Sequence, residues 1–220
     1  MKKTERVYLF DIDGTLVNTS GRSAAAFRKA LSAVLNFDPQ WRGPELAGQT
    51  DASLYARALA DTQREDNTTM RTAFFQSYHS HLEENLQTNP PHILTGVHEI
   101  LSHLKEINAT LALLTGNTER GSQLKLNDLF SYFEFGFYGE EHIDRNDLGH
   151  AARKRIDAQY GKNFPVTIVG DTPKDIACAR AMGADVIAVA TGPFSVDELL
   201  HADRVLPDLS HWFSANINII

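Results

Sequence analysis

The apolar run Val7-Tyr8-Leu9-Phe10 stops abruptly at Asp11-Ile12-Asp13-Gly14-Thr15. Such a run, broken by a glycine turn, suits a short buried strand. Residues two apart on an extended strand face the same way. Asp11 and Asp13 can therefore share one pocket at the strand's carboxyl end, where open α/β sheets hold their ligands. Two anions in one pocket repel, so the pair implies a cation, a shared proton or a solvated turn. Asp-Gly also ends many strands as an ordinary turn, and the rest of the chain decides between these readings.

After that strand come helical spacings and no convincing strand from Leu16 to Gln87. Phe27, Ala30, Leu31, Val34 and Leu35 mark a first helix, starting near Ser23. Asp38-Pro39 and Gly43-Pro44 punctuate a loop. Leu54, Ala58 and Leu59 suggest a second helix. Met70, Phe74, Tyr78, Leu82 and Leu86 step by four along a third, and the Phe74, Phe75 and Tyr78 stripe reads as its packing core. Asn89-Pro90-Pro91 then marks a boundary.

Beyond it, helices and strands alternate. Helices are expected at Val97–Ile107, after Asn117, at Leu148–Tyr160 and at Lys174–Met182. Strands are expected at Thr110–Leu114, Phe133–Tyr138, Val166–Val169 and Val186–Ala190, with a short last one near Val205. This order predicts an α/β fold with a Rossmann-like parallel sheet covered on both faces. The expected organisation is a core over 1–16 and 89–220, with residues 17–88 inserted as an all-helical cap.

A chain of 220 residues, 42% hydrophobic, can bury a core of this size. Its net charge of −7 argues against a nucleic-acid binder, which needs a basic face. No stretch approaches a membrane span, and the apolar run after Met1-Lys2-Lys3-Thr4-Glu5-Arg6 is too short for a secretory signal. Cys178 is the single cysteine, so no internal disulfide forms and the cytoplasm is the default compartment. The histidines are scattered without a metal-binding pattern. Oligomeric state is open.

Three expected strands end in polar residues beside glycine: Asp11-Ile12-Asp13-Gly14, Thr115-Gly116-Asn117, and Gly170-Asp171-Thr172-Pro173-Lys174-Asp175. In a parallel sheet these ends share one edge. That edge would gather Asp11, Asp13, Asp171 and Asp175 with the Thr115 hydroxyl, and such an oxygen cluster suits a hard cation such as Mg²⁺. The last segment also reads as a helix start, with Asp or Thr as the cap and Pro in the first turn.

These motifs, in this order, resemble the haloacid-dehalogenase-like superfamily of aspartate-nucleophile phosphatases. The first motif stands as Asp11-Ile12-Asp13-Gly14-Thr15, the second as Leu111-Ala112-Leu113-Leu114-Thr115, the fourth as Gly170-Asp171-Thr172-Pro173-Lys174-Asp175. The third, a lone cation that is normally Lys, departs from the pattern. Arg145 in Asp144-Arg145-Asn146 has the expected separation, with Arg153 and Lys154 as rivals inside a predicted helix. The helical insert is similar to the cap of the phosphoglycolate-phosphatase-like branch.

The resemblance implies attack by Asp11 on a phosphate monoester of a small metabolite, with Asp13 as acid and then base. It implies Mg²⁺ held by Asp11, the Asp13 main-chain carbonyl and Asp171, with Asp175 as a further or outer ligand. Thr115, Gly116 and Asn117 would hold the transferring oxygens, and Arg145 would supply the fixed cation. The insert would act as a lid. Its loop Ala47-Gly48-Gln49-Thr50-Asp51, with Thr50 as the named contact, is expected to face the substrate unless it is a plain helix cap. Lys174 can reach the pocket or serve as a solvated helix start.

Rival readings are a phosphomutase using the same intermediate and a retired fold kept as a binding module. Asp13 argues against a dehalogenase. The lack of lysine from Leu46 to Thr69 argues against phosphonate hydrolysis. A dinucleotide-binding oxidoreductase is set aside because no Gly-x-Gly-x-x-Gly follows the first strand.

Overall fold

The computed structural model describes residues 6–41 and 45–214. The Gly43-Pro44 punctuation and the charged start before Arg6 lie outside the described residues. In chain order the elements are β1 (Val7–Phe10), β2 (Val17–Asn18), α1 (Arg22–Leu35), α2 (Asp51–Asp61), α3 (Thr68–Thr88), β3 (His92–Ile93), α4 (Val97–Glu106) and β4 (Thr110–Thr115). Then follow α5 (Glu119–Leu126), β5 (Phe135–Tyr138), α6 (Arg145–Tyr160), β6 (Val166–Gly170), α7 (Pro173–Met182), β7 (Asp185–Val189) and β8 (Arg204–Leu206).

Six strands form one sheet in the order β5-β4-β1-β6-β7-β8, every neighbouring pair parallel. β1 is central because it is apolar on both faces. Tyr8 and Phe10 pack with Val97, Ile100 and Leu104 of α4 and with Trp212. Val7 and Leu9 pack on the other side with Leu148, Ala152 and Ile156 of α6 and Ala179 of α7. The order runs outward from β1 in both directions, so the carboxyl ends of β1, β4 and β6 flank the crevice where the sheet order reverses.

Helices α1, α2 and α3 form a third cluster with their own aromatic centre. Phe74 is fully buried there, with ring centroids 4.9 Å from Phe27, 4.8 Å from Tyr55 and 5.1 Å from Phe75. These rings hold the three helices together, as the step-of-four spacing on α3 implies.

Two expectations need correction. A strand does occur between Leu16 and Gln87: β2 pairs antiparallel with β3, Val17 opposite Ile93 and Asn18 opposite His92. Two residues are too few to carry an alternating pattern, so this ribbon left no signal in the sequence. Helix α6 starts at Arg145 rather than Leu148, because the Asp144 side chain caps it by accepting from the Asn146 backbone N–H.

Truncating Phe74 to Ala opens a cavity at the junction of three helices. The expected loss is about 3–5 kcal/mol, read from the urea unfolding midpoint. A loss below about 1 kcal/mol would show that these rings do not hold the helices together.

Candidate active site

The crevice is built from three strand ends. Asp11 follows β1 directly, and its backbone N–H donates to the Val169 carbonyl at 2.9 Å, which registers it beside β6. The chain then turns through Gly14, in the left-handed region at φ 81°. A Cβ on Gly14 would stand 2.3 Å from Asp171 Oδ2, so only glycine lets the end of β6 approach the first turn. Thr15 Oγ1 donates to Asp171 Oδ1 at 3.1 Å and orients that carboxylate.

Asp11, Asp171 and Asp175 are buried, and each offers an oxygen within 4.8 Å of the others. Burial, then the Asp175 and Asp13 charges, push the Asp11 carboxyl up to about 6 against the pull of Arg145 and Thr115. Burial, with Asp11 and Asp175 adding to it, holds Asp171 well above the ordinary carboxylate range. Asp175 is engaged on both sides. Its Oδ2 accepts from the Thr172 backbone N–H at 3.0 Å and from the Thr172 hydroxyl at 2.7 Å, closing a capping box at the start of α7. Its Oδ1 accepts from Arg145. The helix-start reading of this motif is thus realised in Asp175, which also stands within 4.8 Å of the Asp11 and Asp171 carboxylates. Buried carboxylates left under-compensated, with oxygen as the donor atom, fit a hard divalent cation.

Arg145 lies in the first turn of α6, buried, with Nη2 3.2 Å from Asp11 Oδ1. The same guanidinium donates to the carbonyls of Leu114 at 3.3 Å and Gly48 at 3.4 Å, while its Nε is buried without a hydrogen-bond partner. The rivals face elsewhere. Arg153 pairs with Asp157 at 3.3 Å, and Lys154 is exposed on α6.

At the end of β4, Thr115 and Asn117 are buried and line the same crevice as Asp11 and Asp13. Asn117 Nδ2 donates to Thr115 Oγ1 and to Asp13 Oδ2, both at 2.8 Å. One residue was missed by sequence reasoning. Lys125, 3% exposed, places Nζ 2.6 Å from Asp13 Oδ2 and also donates to Asn117 Oδ1. Its signal lies in the phase of α5, where Gly121, Ser122 and Lys125 share the buried face. A lysine on a buried helical face needs a partner.

The Ala47–Asp51 loop closes the crevice from the side of α1–α3. Ala47, Gly48, Gln49 and Asp51 line a cavity of about 750 Å³ that reaches Asp11 and Asp13 below and Phe27 and Leu54 above. Thr50 is the exception, and the expectation for it does not hold. Its hydroxyl accepts from the Ser53 backbone N–H at 3.0 Å and donates to the Ile143 carbonyl at 3.1 Å, as the N-cap of α2. The Asp51 backbone N–H donates to the Gly116 carbonyl at 2.7 Å, and Asp51 Oδ2 accepts from the Thr118 N–H at 3.0 Å. A Cβ on Gly116 would come within 2.0 Å of the Gln49 carbonyl oxygen, so glycine is required for this contact. Lys174 borders a separate surface groove beside Arg145 and Gln49.

Burial pushes the Asp51 carboxyl up to about 6, with Asp13 and Glu140 adding to it against Lys125 and the Thr118 amide. The folded chain therefore keeps this proton after the unfolded chain has lost it. The stabilisation from Asp51 is present at low pH and is lost as pH rises through about 6. Asp51→Asn removes that dependence. From about pH 4.5 to about pH 7, the variant should gain roughly 1–3 kcal/mol relative to wild type. Urea unfolding at both values tests it, and a pH-independent difference would refute the assignment.

The family profile described as haloacid dehalogenase-like hydrolase matches residues 8–189. A phosphoglycolate phosphatase of Chromobacterium violaceum is 31% identical over 198 residues, 83% of this chain and 84% of the relative. A probable phosphatase IndB of Dickeya dadantii is 27% identical over 202 residues, 89% of this chain and 85% of the relative. Among solved structures, CbbY of Rhodobacter sphaeroides in complex with phosphate superposes with a TM-score of 0.73 at 18% identity, covering 94% of this chain and 96% of that one. Its likeness bears on the fold alone, whereas the profile and the Chromobacterium relative bear on ancestry. The chain belongs to the haloacid dehalogenase-like hydrolase family.

Proposed function

We propose that the protein is a Mg²⁺-dependent phosphatase that hydrolyses a small phosphorylated metabolite through an aspartyl-phosphate on Asp11. One juxtaposition carries this reading: oxygens of Asp11, Asp171 and Asp175 within 4.8 Å of one another, with Arg145 3.2 Å from Asp11. Two unit charges 4 Å apart at an effective dielectric of 20 interact by about 4 kcal/mol, so a carboxylate meeting a phosphate dianion faces roughly 8 kcal/mol of repulsion. Bound by Asp11, the Asp13 main-chain carbonyl and Asp171, with Asp175 beside them, Mg²⁺ would neutralise much of that charge.

The chain's own residues supply the rest. An Asp11 oxygen bonds to phosphorus as the ester P–O bond breaks, and Asp13 gives its proton to the departing oxygen. Asp13 then takes a proton from the water that attacks the phosphorylated Asp11, and inorganic phosphate leaves. Arg145 cannot lose its charge and can fork to two oxygens. The Thr115 hydroxyl and the Gly116 and Asn117 amides hold the transferring oxygens. Helices α1–α3 act as the lid that excludes water during attack. The cavity of about 750 Å³ has room for a small metabolite. The name of the Chromobacterium relative makes phosphoglycolate the first ester to offer. A cytoplasmic setting fits the lone cysteine.

Asp11→Asn should abolish phosphate release with the fold intact by circular dichroism. Arg145→Ala should lower kcat/KM by about 10²–10³-fold, while Lys154→Ala stays near wild type. Chelation should silence the enzyme and added Mg²⁺ restore it. Failure of the wild type to hydrolyse any of a panel of phosphorylated metabolites with Mg²⁺ would overturn the proposal. An active Arg145→Ala beside a dead Lys154→Ala would reassign the cation.

A further inference from the structure

Lys125 has no task in the chemistry above, although it lines the crevice and is buried there. Its side chain is 2% exposed, whereas the Asp13 side chain it meets at 2.6 Å is 40% exposed and lines the cavity. Both donors that reach Asp13 converge on the same oxygen. Lys125 Nζ and Asn117 Nδ2, at 2.6 and 2.8 Å, hold Oδ2. Among the described residues Oδ1 accepts no hydrogen bond. Asn117 is itself fixed by donating to Thr115 Oγ1 and accepting from Lys125. The two buried cations thus divide the site: Arg145 serves Asp11 and Asp175, and Lys125 serves Asp13.

We propose that Lys125 is a positioning residue for proton transfer: with Asn117 it clamps Asp13 Oδ2 and leaves Oδ1 as the oxygen that exchanges protons. The inference rests on the phosphatase reading and adds a residue to it. In the first half-reaction an Asp11 oxygen bonds to phosphorus, the ester P–O bond breaks with its electron pair on the leaving oxygen, and that oxygen takes the proton of Asp13 Oδ1. In the second, a water oxygen bonds to phosphorus and its proton goes to Oδ1. The P–O bond to Asp11 breaks, releasing inorganic phosphate and restoring the Asp11 carboxylate. Asp51, from α2, lies within electrostatic reach of the ammonium and helps hold it charged.

The role is separable from general stabilisation by the leaving group. An alkyl alkoxide needs the proton as it departs, and 2,4-dinitrophenolate does not. We expect Lys125→Met to lower kcat/KM for an alkyl phosphate by about 10²-fold or more and for 2,4-dinitrophenyl phosphate by less than about tenfold, the pattern also expected of Asp13→Asn. Circular dichroism establishes that each variant is folded. Should Lys125→Met be insoluble, Lys125→Gln, which keeps a neutral donor, carries the same comparison. Equal losses on both esters, or no loss on either, would overturn the role of Lys125 while leaving the phosphatase reading intact. A wild type inert toward both esters and the metabolite panel would remove that reading and this one together.

Discussion

Electrostatic repulsion among Asp11, Asp171 and Asp175 is the constraint around which the structure is arranged. Bringing three carboxylates into one buried spot is unfavourable unless charge of the opposite sign is fixed beside them. Most local features of the crevice answer that demand. Arg145 is fixed in the first turn of α6 with Asp11 and Asp175. The capping box at α7 occupies one oxygen of Asp175, and Thr15 restrains Asp171. The charge that remains under-compensated is what a divalent cation would meet. Crowding these charges costs stability, and the apolar sheet beneath the site, covered on both faces, supplies it.

The second constraint is the closeness of α1–α3 to the sheet edge. Backbone donors at the start of α2 reach the carbonyls of Gly116 and Gly139, and His79 Nε2 lies 2.7 Å from Thr118 Oγ1. Burial, then the Arg120 charge, lowers His79 to about 4, so this contact is made by a neutral ring near neutral pH. The cavity is therefore walled by both layers, acidic below and largely apolar above. The acidic edge carries a buried cation on each side, Arg145 beside Asp11 and Lys125 beside Asp13.

Much of this was legible in the linear chain. β1, β4 and β6 are short apolar runs bounded by polar residues and glycine, and period and punctuation suffice to find such strands. Asp11, Asp13, Thr115 and Asp171 stand out because each sits where an apolar run stops, and Asp175 follows in the turn that opens the next helix. Residues immediately after strands in a parallel sheet must meet at one edge, so their convergence is a matter of topology rather than of side-chain detail. Arg145 was identifiable by its separation from the fourth motif, although its position inside α6 was not.

What the chain could not reveal one residue at a time depends on distance through space. Lys125 resembles any helical lysine until α5 turns it toward Asp13. Thr50 resembles a substrate contact until its hydroxyl is found spent on Ser53 and Ile143. The β2–β3 ribbon joins residues more than seventy positions apart through two pairs, too little for any periodicity to register. The positions of the strands along the chain and the identity of the acidic edge follow from local pattern, because burial and turn chemistry act on neighbours in sequence. The pairing of each charge, and which loop atoms face the cavity, follow from packing between elements, because Coulomb and hydrogen-bond energies depend on separations that only the folded chain defines.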